Sequence, residues 1–201
     1  MNTYRSRLAA VLLALTLAAC TTDKQETPPT TSAPETVPPT TSSTGPPPRP
    51  SAPSVPRPLN AGGLVLDPCR SLTQEQRTAL GVISAEFTDL APEGAGCSFE
   101  RGGDSHATVV FAANVRIGLD YVYAQNSSST WDYWAPTTVE GYPAVGYNAI
   151  VDSQSRLCNF AVGISDRLYF WVTADAQAGN SRCQLAQSVA SAVLATIRAR
   201  S

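Results

Sequence analysis

An α+β domain is what this chain predicts: an antiparallel sheet packed by a short N-terminal helix and a long C-terminal helix, braced by two disulfides. Three observations carry the prediction. Apolar and polar residues alternate with a period of two in short runs between His106 and Ala174. One apolar stripe of helical period runs from Ala186 to Ile197. Four cysteines, Cys69, Cys97, Cys158 and Cys183, follow an export-type leader, and an even count in an exported chain favours disulfides. Strand runs bracketed by helices, rather than alternating with them, favour α+β over a parallel sheet.

In chain order, residues 1–19 read as a signal peptide. Arg5 and Arg7 precede the apolar run Leu8 to Leu17, which only Thr16 interrupts, and the small residues Ala18 and Ala19 close it. The run is shorter than the roughly 20 apolar residues a helix needs to cross a bilayer. Leu17-Ala18-Ala19-Cys20 resembles the lipobox of bacterial lipoproteins. That resemblance implies a diacylglycerol on the Cys20 thiol, with palmitate as an expected acyl group, and cleavage before Cys20. One acyl chain binds only marginally, whereas two anchor stably. The expected location is therefore the cell membrane, lipid-anchored, on its extracytoplasmic face.

Residues 20–60 read as the lipidated Cys20 and a disordered Thr/Ser/Pro-rich tether, with 12 of the chain's 16 prolines between Pro28 and Pro58. Such a segment buries too little apolar surface to offset its ordering entropy. At about 3.1 Å per residue it reaches on the order of 100 Å. Its composition also suits O-glycosylation. Loss of Arg5 and Arg7 leaves 12 basic against 16 acidic groups. No basic stripe is present, so nucleic acid is not an expected partner.

Residues 61–201 form the single expected domain. Thr73 and Gln76 fit a capping box, which predicts a helix over 74–80 with Gly81 as its stop. A short strand is expected around Ala85–Phe87. Residues 97–100 and 106–112 read as a hairpin about 101–105. Val115, Leu119 and Val122 predict a weaker helix over 115–125, followed by a polar loop over 126–130. Residues 137–140 read as a strand and 141–146 as a turn with a short extended piece. Leu157 to Ser165 is a clearer strand, with Cys158, Phe160, Val162 and Ile164 on one face. Leu168 to Ala174 returns from a turn, with Leu168, Phe170 and Val172 on one face and Tyr169, Trp171 and Thr173 on the other. Ser181 caps a final helix to about Ala199, whose stripe is Ala186, Val189, Ala190, Val193, Leu194 and Ile197.

Four cysteines allow three pairings. The favoured one, Cys69–Cys97 with Cys158–Cys183, closes each bond within a local unit. No two cysteines lie as close as zinc sites and redox motifs require, so no metal is expected.

Several of these features occur together in one order: the lipobox and tether, Asp67-Pro68-Cys69 before a Leu-Thr-x-x-Gln helix, Cys97-Ser98-Phe99, Gly141-Tyr142-Pro143-Ala144-Val145, a strand cysteine at Cys158, and Cys183 opening the last helix. The chain resembles the actinobacterial cell-envelope lipoproteins known only as domain of unknown function 3558, over about residues 64–199. Phe99 departs from the usual Trp and keeps an aromatic core residue. The resemblance implies an envelope lipoprotein and supplies no catalytic residues.

Few residues of the chain point to chemistry. His106, the one histidine, falls on the outward face of a hairpin strand. No Gly-x-Ser-x-Gly elbow, phosphate loop or His/Asp cluster is present, and the acids are scattered. Neither catalysis nor a cofactor is expected. Seven of the 15 aromatics fall within 27 residues: Tyr121, Tyr123, Trp131, Tyr133, Trp134, Tyr142 and Tyr147. Of these, Trp131, Tyr133, Trp134 and Tyr142 are the candidate binding residues, since rings beside Asn and Ser suit protein contacts or sugar stacking. The same rings also suit a core. The expected function is a non-catalytic binding module for an envelope protein, glycan or lipid. The alternatives are a carrier of a small apolar ligand in a cavity between sheet and helix, and a hydrolase centred on His106.

Overall fold

The computed structural model describes residues 51–129, 131–148, 157–176 and 181–201. Residues 1–50, and with them the leader, Cys20 and most of the tether, lie outside the described residues.

Seven strands form one antiparallel sheet: β1 Val82–Leu90, β2 Gly94–Arg101, β3 Ser105–Phe111, β4 Tyr133–Val139, β5 Tyr142–Asn148, β6 Leu157–Ser165 and β7 Leu168–Asp175. Their spatial order is β1-β2-β3-β7-β6-β5-β4. Two meanders, β1 to β3 and β4 to β7, therefore meet where β7 pairs with β3. Four helices complete the described fold: α1 Gly62–Leu66, α2 Gln74–Ala79, α3 Asp120–Ser129 and α4 Ser181–Arg198, with a 3-10 turn at Pro68–Ser71.

The long C-terminal helix forms the main core. α4 packs on β6 and β7. Its expected stripe is fully buried, from Ala186 at 0% to Val189 at 1% exposure. Opposite it stand Phe99, Val109, Phe111, Val162, Ile164, Phe170 and Val172. The capping box of α2 is present, with Thr73 Oγ1 accepting from the Gln76 amide and Gln76 Oε1 accepting from the Thr73 amide. The same Gln76 side chain donates to the Ala192 carbonyl at 2.9 Å and accepts from Thr196 Oγ1 at 2.8 Å. A local helix start is thereby stitched to α4.

Both expected disulfides form. Cys69–Cys97 joins the 3-10 turn to β2, and Cys158–Cys183 joins β6 to the first turn of α4. They close 28 and 25 residues, each worth about 3 to 4 kcal/mol in the loop-entropy account.

Four expectations need correction. β1 spans nine residues instead of three, because ladder bonds to β2 hold a stretch whose own alternation is weak. β5 begins directly at Tyr142, because Glu140 and Gly141, at φ 51° and 83°, make a tight hairpin turn. Helix three starts at Asp120, not Val115, and includes Asn126 to Ser129. There Ser127 and Ser128 donate to the Ala124 and Gln125 carbonyls, so the polar run is satisfied within the helix. Residues 115–119 instead make turns, with Gly118 at φ +54° and so close to the backbone of Asp166 that a Cβ would lie 2.8 Å from it.

The tether was expected to stay free through residue 60, yet the chain already packs from residue 51. Ala52 N donates to Asp120 Oδ1 at 2.7 Å, Val55 N to Asp166 Oδ1 at 3.2 Å, and Leu59 N to the Ile164 carbonyl at 2.8 Å. Pro53, Pro56 and Pro58 have no N–H to satisfy. Between them the Val55 amide finds its acceptor in Asp166, and Val55 is buried.

The two sheet edges differ. β4 carries Pro136, which an edge strand tolerates and which blocks further pairing. β1 carries Ile83, Phe87 and Leu90, exposed by 75%, 57% and 37%.

Val193 has no exposed surface, so Val193→Asp places an unpaired charge in the core and should abolish cooperative unfolding followed by circular dichroism. The double variant Cys158→Ser, Cys183→Ser should remain folded but lose about 3 kcal/mol in urea denaturation.

Candidate functional site

Strand alternation decides what stands on the face away from α4. With Phe170 and Val172 inward, Tyr169 and Trp171 face the other way; with Phe160 and Val162 inward, so do Asn159 and Ala161. α3 connects β3, in the middle of the sheet, to β4 at its far edge. Leu119 and Val122 bury against Val145, Ala161 and Tyr169 in a second, smaller core on this face.

Two groups of rings border that core. Trp131 stacks on Tyr147 at 4.7 Å and 19°, leans on Trp134 at 5.8 Å, and Trp134 meets Tyr123 edge-on at 4.9 Å. In the second group Tyr121 stacks on Tyr169 at 6.4 Å, and Tyr169 contacts Trp171 at 5.9 Å. Members of both groups line an open cleft of about 280 Å³: Tyr121, Trp131, Tyr147, Tyr169 and Trp171, with Val122, Glu93, Gln125 and Asn159.

The polar groups of the cleft are fixed from behind. Register places Tyr147 opposite Asn159, and Asn159 opposite Thr173. Thr173 Oγ1 donates to Asn159 Oδ1 at 2.7 Å, and Asn159 Nδ2 donates to Asn148 Oδ1 at 3.1 Å. Asn148 Nδ2 in turn donates to the Leu157 carbonyl at 2.8 Å. Glu93 sits in the β1–β2 turn. Asn114 holds that turn, its amide donating to the Glu93 carbonyl at 3.2 Å and its side chain to the Pro92 carbonyl at 2.9 Å.

Burial raises the Tyr147 and Tyr169 hydroxyls above the ordinary phenol range. The neighbouring Tyr121 phenol and Glu93 carboxylate add to both shifts, and Tyr147 adds to that of Tyr169. Burial alone raises Tyr123. The phenols of Tyr121, Tyr147 and Tyr169 and the carboxylate of Glu93 therefore lie within electrostatic reach of one another. At neutral pH the Tyr147 and Tyr169 hydroxyls stay protonated and serve as donors and acceptors.

The four candidate binding residues divide between the two faces. Trp131 and Trp134 belong to the cleft side. Tyr133 and Tyr142 do not: Tyr142 is 7% exposed in the α4-side core, and the Tyr133 hydroxyl lies over Gly146 beside Phe160. Adjacent residues of β4 point to opposite faces, so one run of aromatics in sequence becomes two groups in space. Tyr169 and Trp171 sit on the α3 side, as their alternation implied. Glu93, Gln125 and Asn159 were not anticipated. Only Asn159 left a signal, as a polar residue on the second face of a strand buried on its first.

His106 lies half-buried on β3, opposite Glu100 and Asp175. The neighbouring Ser105 hydroxyl donates to the Asp175 carbonyl and accepts from Arg101, so it is not aligned with the imidazole as a nucleophile. Among the described residues, no group of three or more His, Cys, Asp or Glu is placed to hold a metal ion.

The family model described as Protein of unknown function (DUF3558) matches residues 15–196. No curated protein and no solved structure matches.

The raised phenols have a consequence at alkaline pH. A free tyrosine ionises near 10.0, whereas the folded chain holds both protons to higher pH. The stability this contributes is fully present below about pH 10 and is lost as pH rises from there through the folded-state values. Urea midpoints measured at about pH 8.5 and about pH 10.5 should therefore fall with pH, and the fall should be smaller in the double variant Tyr147→Phe, Tyr169→Phe.

Proposed function

The chain belongs to the DUF3558 family, and on that premise we propose that it is a membrane-anchored, non-catalytic binding module that captures an envelope component in the cleft beneath α3. The observation that carries this reading is the cleft itself: five aromatic rings and several oriented polar groups line an open space of about 280 Å³. Large rings with a few placed hydrogen-bonding groups are the usual material of a recognition site.

The reading of an extracytoplasmic domain tethered through a diacylglycerol is supported by the leader and by Cys20 in a lipobox-like sequence. Two disulfides suit that oxidising side of the membrane. Among the described residues, no helix is long and apolar enough to cross a membrane.

The carrier alternative needs a void between sheet and α4. A void large enough for a ligand must expose the side chains that wall it. Phe99, Phe111, Phe170, Val172, Val193, Leu194 and Ile197 expose none of their surface, so the middle of that interface is solid; at its edge Tyr133, Leu157, Phe160 and the first turns of α4 line a pocket of about 320 Å³, which has fewer rings than the cleft beneath α3. A hydrolase centred on His106 finds no support in the neighbouring serine.

The double variant Trp131→Ala, Trp134→Ala should lose capture of envelope components after crosslinking in intact cells, while keeping its far-ultraviolet dichroism. Unchanged capture would refute the cleft as the site. Cys20→Ser should release the protein from the membrane fraction into the medium, and the native product should carry the added mass of a diacylglycerol.

A further inference from the structure

We infer that the cleft beneath α3 recognises an organic cation, an alkylated ammonium group, as the chemical feature of its ligand; this rests on the reading of the cleft as the binding site. Glu93 is the one carboxylate lining the cleft, and no lysine, arginine or histidine lines it. Its side chain makes no ion pair or hydrogen bond with the described residues, although the turn that carries it is pinned by Asn114. An anionic ligand would be repelled by this carboxylate. A purely apolar ligand would strip it of water and return nothing. A cation satisfies it.

The rings point the same way. Aromatic faces carry negative electrostatic potential and attract ammonium groups, and several rings around one site are the usual means of holding a quaternary ammonium. Here Trp131 with Tyr147, and Tyr121 with Tyr169, contribute rings from the two stacked groups to one cleft. The phenol oxygens add partial negative charge without ionising. The volume, about 280 Å³, suits a headgroup or a small amine, not a folded segment. The same chemistry is offered by a free quaternary ammonium ion such as choline and by the headgroup of a zwitterionic lipid.

The test is a titration of tryptophan fluorescence in the full mature chain, held in detergent without ammonium groups. Three probes are compared: choline, its neutral carbon isostere 3,3-dimethylbutan-1-ol, and dihexanoyl phosphatidylcholine below its micelle concentration. Choline should saturate the signal and bind at least about tenfold more tightly than the isostere, and Glu93→Gln should remove about that same factor for choline while leaving the isostere unchanged. Tighter binding of the short-chain lipid than of choline would assign the cation to a headgroup; equal binding would assign it to a free alkylated ammonium ion. Equal affinity for choline and the isostere, or no response to choline, overturns the inference. If choline then fails but Trp131→Ala, Trp134→Ala still loses envelope capture, the cation falls and the cleft stands. If capture also survives that variant, both fall.

Discussion

The burial of α4 against the sheet is the constraint from which the rest of this structure follows. Of the six stripe residues from Ala186 to Ile197, five expose no surface and Val189 exposes 1%, and the facing Phe99, Phe170 and Val172 expose none. A strand alternates strictly, so a residue assigned to that core assigns its neighbours to the opposite face. Phe170 and Val172 inward put Tyr169 and Trp171 outward. Phe160 inward puts Asn159 outward, and Ala144 inward puts Val145 and Tyr147 outward in the same way. The cleft is thus the reverse side of the core. A one-residue slip in β7 would turn Tyr169 and Trp171 into the core, and one in β6 would turn Asn159 into it; either would erase the site.

A face bearing so many rings needs cover, and α3 supplies it while making the connection from β3 to β4. The position of its first turn is set from several directions. Gly118 allows close approach to the β6–β7 turn, and Asp120 and Asp166 accept amides from the segment at Ala52 and Val55. The last ten residues of the Pro-rich stretch are therefore part of the domain's architecture.

How much of this was legible in the sequence depended on whether the determining contact was local. α4 was legible because its stripe repeats with helical period and is unbroken. β6 and β7 were legible because Cys158, Phe160, Val162, Ile164 and Leu168, Phe170, Val172 alternate cleanly. The disulfide pairing followed because each bond closes a local unit. The extent of α3 is not legible because Asn126 and Ser127 to Ser129 have turn-like composition, while in the fold Ser127 and Ser128 donate back to the Ala124 and Gln125 carbonyls within the helix. The ring cluster was seen as one patch because sequence distance does not record a change of face between Tyr133 and Trp134. Glu93 could not be found, since it reaches the cleft from a hairpin turn far from α3 in the chain. The docked segment was hidden by composition: prolines signal an extended chain, and they do not say whether it has a surface to lie on.

The unequal edges carry a consequence for assembly. A sheet that is closed at one side by Pro136 and open at the other along Ile83, Phe87 and Leu90 has a single valence for strand addition. Such a molecule can terminate another sheet or join back-to-back with one neighbour. Lacking a second acceptor side, it cannot propagate into a fibre by that route, however high its local concentration.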